Sequence, residues 1–390
     1  MVGVPARNEA TTIESVARAA DAGLKDLGTA HNSMIVLADN GSTDGTPTRF
    51  LEAATRTRQL VIQSGGTGTG KGTNVLALMR AALEHGAAHL ILLDADVRSG
   101  EAAWIARLGS AVDGDTPTLA VPTYRRNRYE ANTTNHLASP LVAALFGAPL
   151  QQPIGGEFAM NRALLEQARH WPAPASASLY GIDIWLTTNA LREGHRVVEV
   201  PLGVKLHNSP FPKILSLPQQ VLDALFHVTL RLDRPRPAEM DMRMSRRSAV
   251  DTEARKQDPA TVAKVVKAAA GYLATHHAVV SSMFPTVAGL RVAPWGHRIL
   301  TQDWPHILAD GVEALARGQF QPARDHLIAL YINRVLSFWD EIADLTGAEI
   351  DALLDRQATE TVKAVADRPI TFTGVTQATG FDRGTWTAIS

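Results

Sequence analysis

The first 120 residues alternate short apolar runs with amphipathic stretches, and this alternation restricts the fold more than any other feature of the chain. Val2–Pro5 reads as the end of a buried strand, and Thr11–Leu24 as a helix with Ile13, Val16, Ala17, Ala20 and Leu24 near helical spacing. Met34–Ala38 reads as a second strand, Thr46–Thr57 as a helix and Gln59–Gln63 as a third strand. A helix over Thr73–Glu84 and a fourth strand over His89–Leu93 complete the series. This order predicts an α/β fold: a Rossmann-like, mostly parallel sheet with helices on both faces. In such sheets ligands bind beyond the carboxyl ends of the strands. Polar turns lie at those ends, at Ala6–Glu9, Asp39–Gly45, Gly65–Gly72 and Asp94–Asp96.

Beyond residue 120 the pattern is less regular up to 232. Asp233–Pro259 has no apolar periodicity and reads as a linker or mobile loop. From Ala260 to about Asp367 the spacing becomes helical, and a polar tail follows from Arg368. The expected division is an α/β domain over 1–232, a linker over 233–260 and a helical C-terminal region over 261–390. An amphipathic bundle of this kind could pack a homodimer or its own first domain. The 38 Lys and Arg against 39 Asp and Glu leave no excess of positive charge for nucleic acid. With no cysteine, any metal must rest on His, Asp or Glu. No apolar run reaches membrane-spanning length, and Met1–Glu9 lacks the layout of a signal peptide, so the expected location is the cytoplasm.

Five segments could carry chemistry. Leu90–Leu93 runs into Asp94-Ala95-Asp96, where two carboxylates two residues apart at a strand end can reach one hard divalent cation. The plainer alternative is a helix cap and a solvated carboxylate. Gly65–Gly72 superficially fits a nucleotide-triphosphate loop but places Gly72 where Ser or Thr must bind magnesium. It still suits a phosphate, with Gly70 and Lys71 near a helix N-terminus. In Pro153-Ile154-Gly155-Gly156-Glu157 the paired glycines let backbone approach a ligand, and Glu157 could accept hydrogen bonds from hydroxyls. A tight turn before a helix over Asn161–Ala168 explains it equally. Asp183 in Tyr180-Gly181-Ile182-Asp183 is either a partly buried carboxyl with a tuned pKa or a helix cap. His207, in Leu202–His207, gains weight only if the carboxylate pair needs a third metal ligand.

Together these segments resemble a nucleotide-sugar glycosyltransferase of the GT-A fold over roughly residues 1–232. Val4–Glu9 with Thr12-Ile13 resembles its nucleotide-binding start, Ala38–Thr46 its second nucleotide loop, and Asp94-Ala95-Asp96 its metal motif. A narrower resemblance is to the synthases of glucosyl-3-phosphoglycerate, mannosylglycerate and glucosylglycerate. It rests on Gly70-Lys71-Gly72, Pro153–Glu157, Tyr180–Asp183 and Leu202–His207. The resemblance implies a magnesium or manganese ion on Asp94, Asp96 and His207. It implies a nucleotide sugar held by Pro5, Ala6, Arg7, Glu9, Asp39, Ser42, Gly70, Lys71, Asp94, Ala95, Gly155 and Gly156. Lys71, Glu157 and Asp183 become the candidate catalytic residues.

The reaction implied is transfer of glucose or mannose, with retention, to a hydroxyl of a small anion such as D-glycerate or 3-phosphoglycerate. Arg125, Arg126 and Arg128 are candidates for holding that anion, or a solvated charged loop. The loop Thr123–His136 does not choose among the three activities, and the chain after 260 carries no motif of the group. The competing readings are an inverting transferase of the same fold acting on another acceptor, a nucleotidyltransferase, and a non-catalytic nucleotide-binding protein.

Overall fold

The computed structural model describes residues 1–65, 70–100, 102–206, 214–237, 258–293 and 295–372. These fall into two compact units, one drawn from the described residues of 1–124 and 154–206, the other from those of 125–153 and 214–372.

The first unit holds a seven-stranded sheet in the order β3-β2-β1-β4-β6-β5-β7. Its strands are β1 (Val2–Ala6), β2 (Met34–Asp39), β3 (Arg58–Gln63), β4 (His89–Leu92), β5 (Thr118–Arg125), β6 (Ala159–Asn161) and β7 (Arg196–Val204). β1 pairs in parallel with β2 and with β4, and β2 with β3, as the alternating sequence predicts. All five residues of β1 are buried, which is why the strand reads as a continuous apolar run. Pro5 is tolerated in this central strand because the register with β4 covers only Val2↔Ile91 and Gly3↔Leu92. The chain leaves β1 toward β2 and β3 and then returns to β4 on the other side. The order of strands therefore reverses at β1 and β4, where a crevice opens at the carboxyl ends.

Helices α1 (Ile13–Asp26), α2 (Thr46–Glu52), α3 (Lys71–Glu84) and α4 (Ala102–Ala111) connect these strands. α2 is shorter than its apolar spacing predicts, because the Asp21 carboxylate takes the amides of Arg56 at 3.1 Å and Thr57 at 2.8 Å. β6 runs antiparallel to both β4 and β5, with Met160 opposite Leu90 and Leu119. The expected helix over Asn161–Ala168 begins one residue later as α6 (Arg162–Ala168), since Asn161 is its cap and accepts from the Leu164 amide at 3.1 Å. α7 (Ile182–Arg192) follows.

The second unit is helical. It contains α5 (Ser139–Phe146), α8 (Ser216–Thr229), α9 (Pro259–Thr275), α10 (His277–Met283), a small hairpin of β8 (Val292–Ala293) and β9 (Gly296–His297), and α11 (Trp304–Ala316), α12 (Phe320–Glu341) and α13 (Gly347–Ala366). The division thus differs from that expected, because residues 125–153 fold with the C-terminal helices. α5 is buried at all eight positions and needs apolar neighbours on every side, one of which is α13. The start of the expected linker is also tied down. The Arg236 amide donates to Leu145 O at 3.0 Å, and the Phe372 amide to Asp233 O at 2.9 Å. Residues 238–257 of that linker, and most of the expected polar tail, lie outside the described residues. No helix among the described residues is long and apolar enough to cross a membrane.

Candidate active site

The loops leaving β1 and β2 are laced together at the crevice. The Asn8 amide donates to Ser42 Oγ at 2.9 Å, the Thr43 amide to Asn8 Oδ1 at 2.9 Å, and the Glu9 amide to Thr46 Oγ1 at 2.8 Å. The Ala6 carbonyl accepts from the Asn40 amide at 3.2 Å and from Asn74 Nδ2 at 3.0 Å. These bonds stop β1 and β2 at one level, with Pro5 and Ala6 buried and Arg7 exposed. Asp39 is also buried. Its Oδ2 accepts from the Ser42 amide at 3.1 Å, while its Oδ1 has no hydrogen-bond partner among the described residues. A buried carboxylate oxygen left in this state is costly unless a ligand N–H or O–H answers it, and a nucleotide supplies both.

The turn after β4 is fixed to the same frame, with Thr12 Oγ1 donating to Ala95 O at 2.7 Å. Asp94 lies between two lysines. Lys71 Nζ is 2.7 Å from its Oδ1, and Lys205 Nζ 3.0 Å from its Oδ2. Lys71, the first residue of α3, also lies 3.5 Å from Asp183 Oδ1 in the first turn of α7. Lys205 donates in addition to Gly155 O at 3.0 Å and to Glu157 Oε1 and Oε2 at 2.9 and 2.7 Å. The Tyr124 hydroxyl donates to Glu157 Oε2.

Four carboxyl groups, Asp94, Asp96, Glu157 and Asp183, therefore share two ammonium groups, and the imbalance registers in their proton affinities. Burial would raise Asp94, but Lys205 and Lys71 reverse the sign and hold its carboxyl well below the usual range. Burial likewise opposes the charge of Lys71, and Asp183 and Asp94 outweigh it, so the ammonium is held well above the usual range. The other three carboxyls are pushed up. Asp96 is raised by burial and then by the charge of Asp94. Glu157 and Asp183 are raised by burial, against the pull of Lys205 and Lys71 respectively. Uncompensated negative charge on hard oxygen donors suits a divalent cation such as magnesium or manganese. Asp94 and Asp96 are the candidates to ligate it, with Lys71 and Lys205 approaching both oxygens of Asp94. Among the described residues no group of three or more His, Asp or Glu is assembled for a metal, and the expected third ligand, His207, lies outside them.

Two glycine segments prove to be close-packing devices. A Cβ on Gly72 would lie 1.9 Å from the Ala177 carbonyl oxygen, and its amide donates to Leu179 O at 2.9 Å. That contact explains why glycine replaces the hydroxyl residue of a triphosphate loop. Gly155 passes so close to Pro122 that a Cβ would lie 2.0 Å from its Cγ. Gly156 has φ of +94°, and a Cβ there would lie 2.1 Å from Asp94 Oδ2.

One expectation needs correction. Glu157 is fully buried, and the hydroxyl it accepts from is that of Tyr124, so it shapes the site from behind rather than meeting a sugar. Within the second unit, Arg128 donates to Ile342 O at 3.3 Å and Leu345 O at 2.8 Å beyond the C-terminus of α12. Arg126 donates to Gln152 Oε1 at 3.4 Å in that unit, and Arg125, at the end of β5, is exposed. Sequence reasoning gave no role to Tyr124 or Asn74, and quoted Thr12 and Lys205 only as members of their motifs. The one available signal was Lys205 itself, a lysine continuing directly from an apolar strand.

Residues 1–170 match the family model described as glycosyl transferase family 2. No curated protein matches the chain. Among solved structures, glucosyl-3-phosphoglycerate synthase from Mycobacterium tuberculosis with Mn2+, uridine diphosphate and phosphoglyceric acid is similar at 26% identity, covering 58% of this chain and 77% of that one, with a TM-score of 0.48. The same protein with Mn2+, UDP-glucose and phosphoglyceric acid is similar at 24% identity, over 61% of this chain and 86% of that one, with a TM-score of 0.47. Its complex with Mg2+ and uridine diphosphate is similar at 24% identity, over 58% and 78%, with a TM-score of 0.47.

Proposed function

We propose that this chain, a glycosyltransferase whose first 170 residues match the family 2 model, transfers glucose or mannose from a nucleoside diphosphate sugar to a hydroxyl of a small anion such as D-glycerate or 3-phosphoglycerate, with retention of anomeric configuration. The observation that carries the reading is the Asp94, Asp96, Asp183 and Lys71 cluster beside the buried, half-satisfied Asp39. The cluster lies at the carboxyl end of β4 and the N-termini of α3 and α7, where charged phosphates and a cation meet. The choice of a three-carbon acid acceptor rests on the sequence resemblance.

In this reading Asp39 and the laced loops hold the nucleoside, and the Asp39 Oδ1, unpartnered among the described residues, accepts a donor from it. Asp96 and His207, helped by Asp94, would hold a magnesium or manganese ion. When bound, that ion neutralises charge on the departing diphosphate. Lys71, held cationic by Asp94 and Asp183, adds a fixed positive charge at the same place before reaction begins. Asp183 orients the acceptor hydroxyl. The bond from the anomeric carbon to phosphate oxygen breaks, that to the acceptor oxygen forms on the same face, and the hydroxyl proton leaves with the phosphate.

A panel of nucleotide sugars against D-glycerate and 3-phosphoglycerate, with Mn2+ or Mg2+, tests this by release of nucleoside diphosphate. Proton NMR of the product should show an α-linked anomeric signal from an α-linked donor. A β-linked product would remove the retaining assignment, and turnover on neither acceptor would remove the acceptor class.

A further inference from the structure

We infer that Lys205 is a positioning residue for this reaction, one that locks the Asp94 carboxylate and the Gly155–Glu157 turn into a single frame without meeting a substrate. The inference rests on the glycosyl-transfer reading and adds to it a residue outside the nucleotide, metal and acceptor contacts. A lysine ammonium has three N–H donors and no acceptor. In Lys205 they are matched by three groups on two segments of chain: Asp94 Oδ2 at 3.0 Å after β4, and Gly155 O at 3.0 Å and the Glu157 carboxylate at 2.7 and 2.9 Å in one turn. The ring of Tyr124 closes a further side, with its centroid 5.3 Å from Nζ. The Lys205 side chain is 3% exposed, against 15% for Lys71. Lys205 is therefore saturated and shielded, whereas Lys71 borders the open side of the cluster.

The groups that Lys205 holds are those the chemistry needs in register. Asp94 is the anchor of Lys71, and the backbone at Gly156 approaches Asp94 so closely that no side chain fits between them. Without the ammonium, Asp94 and the turn lose their common partner, and Glu157 is left buried facing Tyr124 alone. A misplacement of about 1 Å in such a constellation costs on the order of 10²-fold in rate.

The test uses Lys205→Met and the double variant Lys205→Met/Glu157→Gln, read by melting temperature, kcat, donor KM and the half-saturating Mn2+ concentration. The single variant should melt well below the wild type, because it strands the Glu157 carboxyl. The double variant removes the charges together and should recover most of that loss, since a buried pair can be replaced by neutral groups at little cost. Its kcat should remain about 10²-fold down, with donor KM within about threefold of wild type, because binding groups are untouched while the frame is loose. Recovery of both melting temperature and kcat in the double variant overturns the inference, as does a rise in KM matching the fall in kcat. A double variant that stays unfolded confines Lys205 to a structural role and overturns it too. Failure of the underlying reading looks different: the wild type itself would then turn over no donor and bind no uridine or guanosine diphosphate with Mn2+ by calorimetry, and the inference would fall with it.

Discussion

Replacing Gly156 with alanine adds one methyl group at the most crowded point of the cluster. The position has φ of +94°, and a built Cβ lies 2.1 Å from Asp94 Oδ2, where ordinary contact starts at 3.4 Å. The turn and the carboxylate must therefore separate by about 1.3 Å or more. Asp94 has little freedom to retreat, because Lys71 holds Oδ1 at 2.7 Å and Lys205 holds Oδ2 at 3.0 Å. The left-handed backbone alone costs a non-glycine residue about 1–3 kcal/mol. A displacement above 1 Å at groups that orient the leaving diphosphate should lower kcat by about 10²-fold. Gly194, in the turn after α7, provides the control, with φ of +74° and nothing within 4 Å of its built Cβ. Gly194→Ala carries a similar backbone penalty without a collision and should lower the melting temperature while leaving kcat unchanged. Initial rates at saturating donor, alongside thermal melts of both variants, give the comparison. If Gly156→Ala loses no more activity than Gly194→Ala, the close approach of the turn to Asp94 has no bearing on catalysis.

Lys71→Met should reduce kcat by about 10²–10³-fold, the scale of losing one preorganised donor at a developing anion, and rates within threefold of wild type would refute its role. Asp39→Ala should raise donor KM by about tenfold or more with kcat nearly constant, because a charged hydrogen bond of about 1.5–3 kcal/mol serves binding in ground and transition state alike. An unchanged KM would place the nucleoside elsewhere. Acidification should weaken the second unit through His227, whose pKa burial, with help from Arg231, lowers to about 4. The unfolded chain takes that proton near 6.5, so His227's contribution is intact above that pH and is lost as pH falls toward 4. Urea unfolding at pH 7 and pH 5 should differ by up to about 2 kcal/mol from this group, and His227→Gln should shrink the difference.

What the sequence made legible was whatever depends on local periodicity. The buried runs of β1, β2 and β4 and the polar turns behind them placed the sheet and the crevice, because each such strand is apolar on both faces. Features set by distant partners stayed hidden. α2 ends early because Asp21, some 35 residues away, captures the Arg56 and Thr57 amides. β6 is only three residues long and antiparallel, too short for any period to register. The 125–153 segment joins the helical unit through the all-round apolar α5, whose composition announces burial without naming its neighbours. At the site, Asp94, Asp183 and Lys71 were legible from their motifs and do converge. Lys205 was not, because its meaning lies in three partners 48, 50 and 111 residues away.

The central claim is that the crevice beside β1, β2 and β4 binds a nucleoside diphosphate together with a divalent cation held by Asp96. Calorimetric titration of uridine and guanosine diphosphate into the protein, with Mn2+ and then with a chelator, tests it most directly. One of the two nucleotides should bind only with the metal, and Asp96→Asn should weaken that binding by about tenfold or more, the loss of one charged ligand contact. Equal binding with and without metal, or binding untouched by Asp96→Asn, would contradict the account.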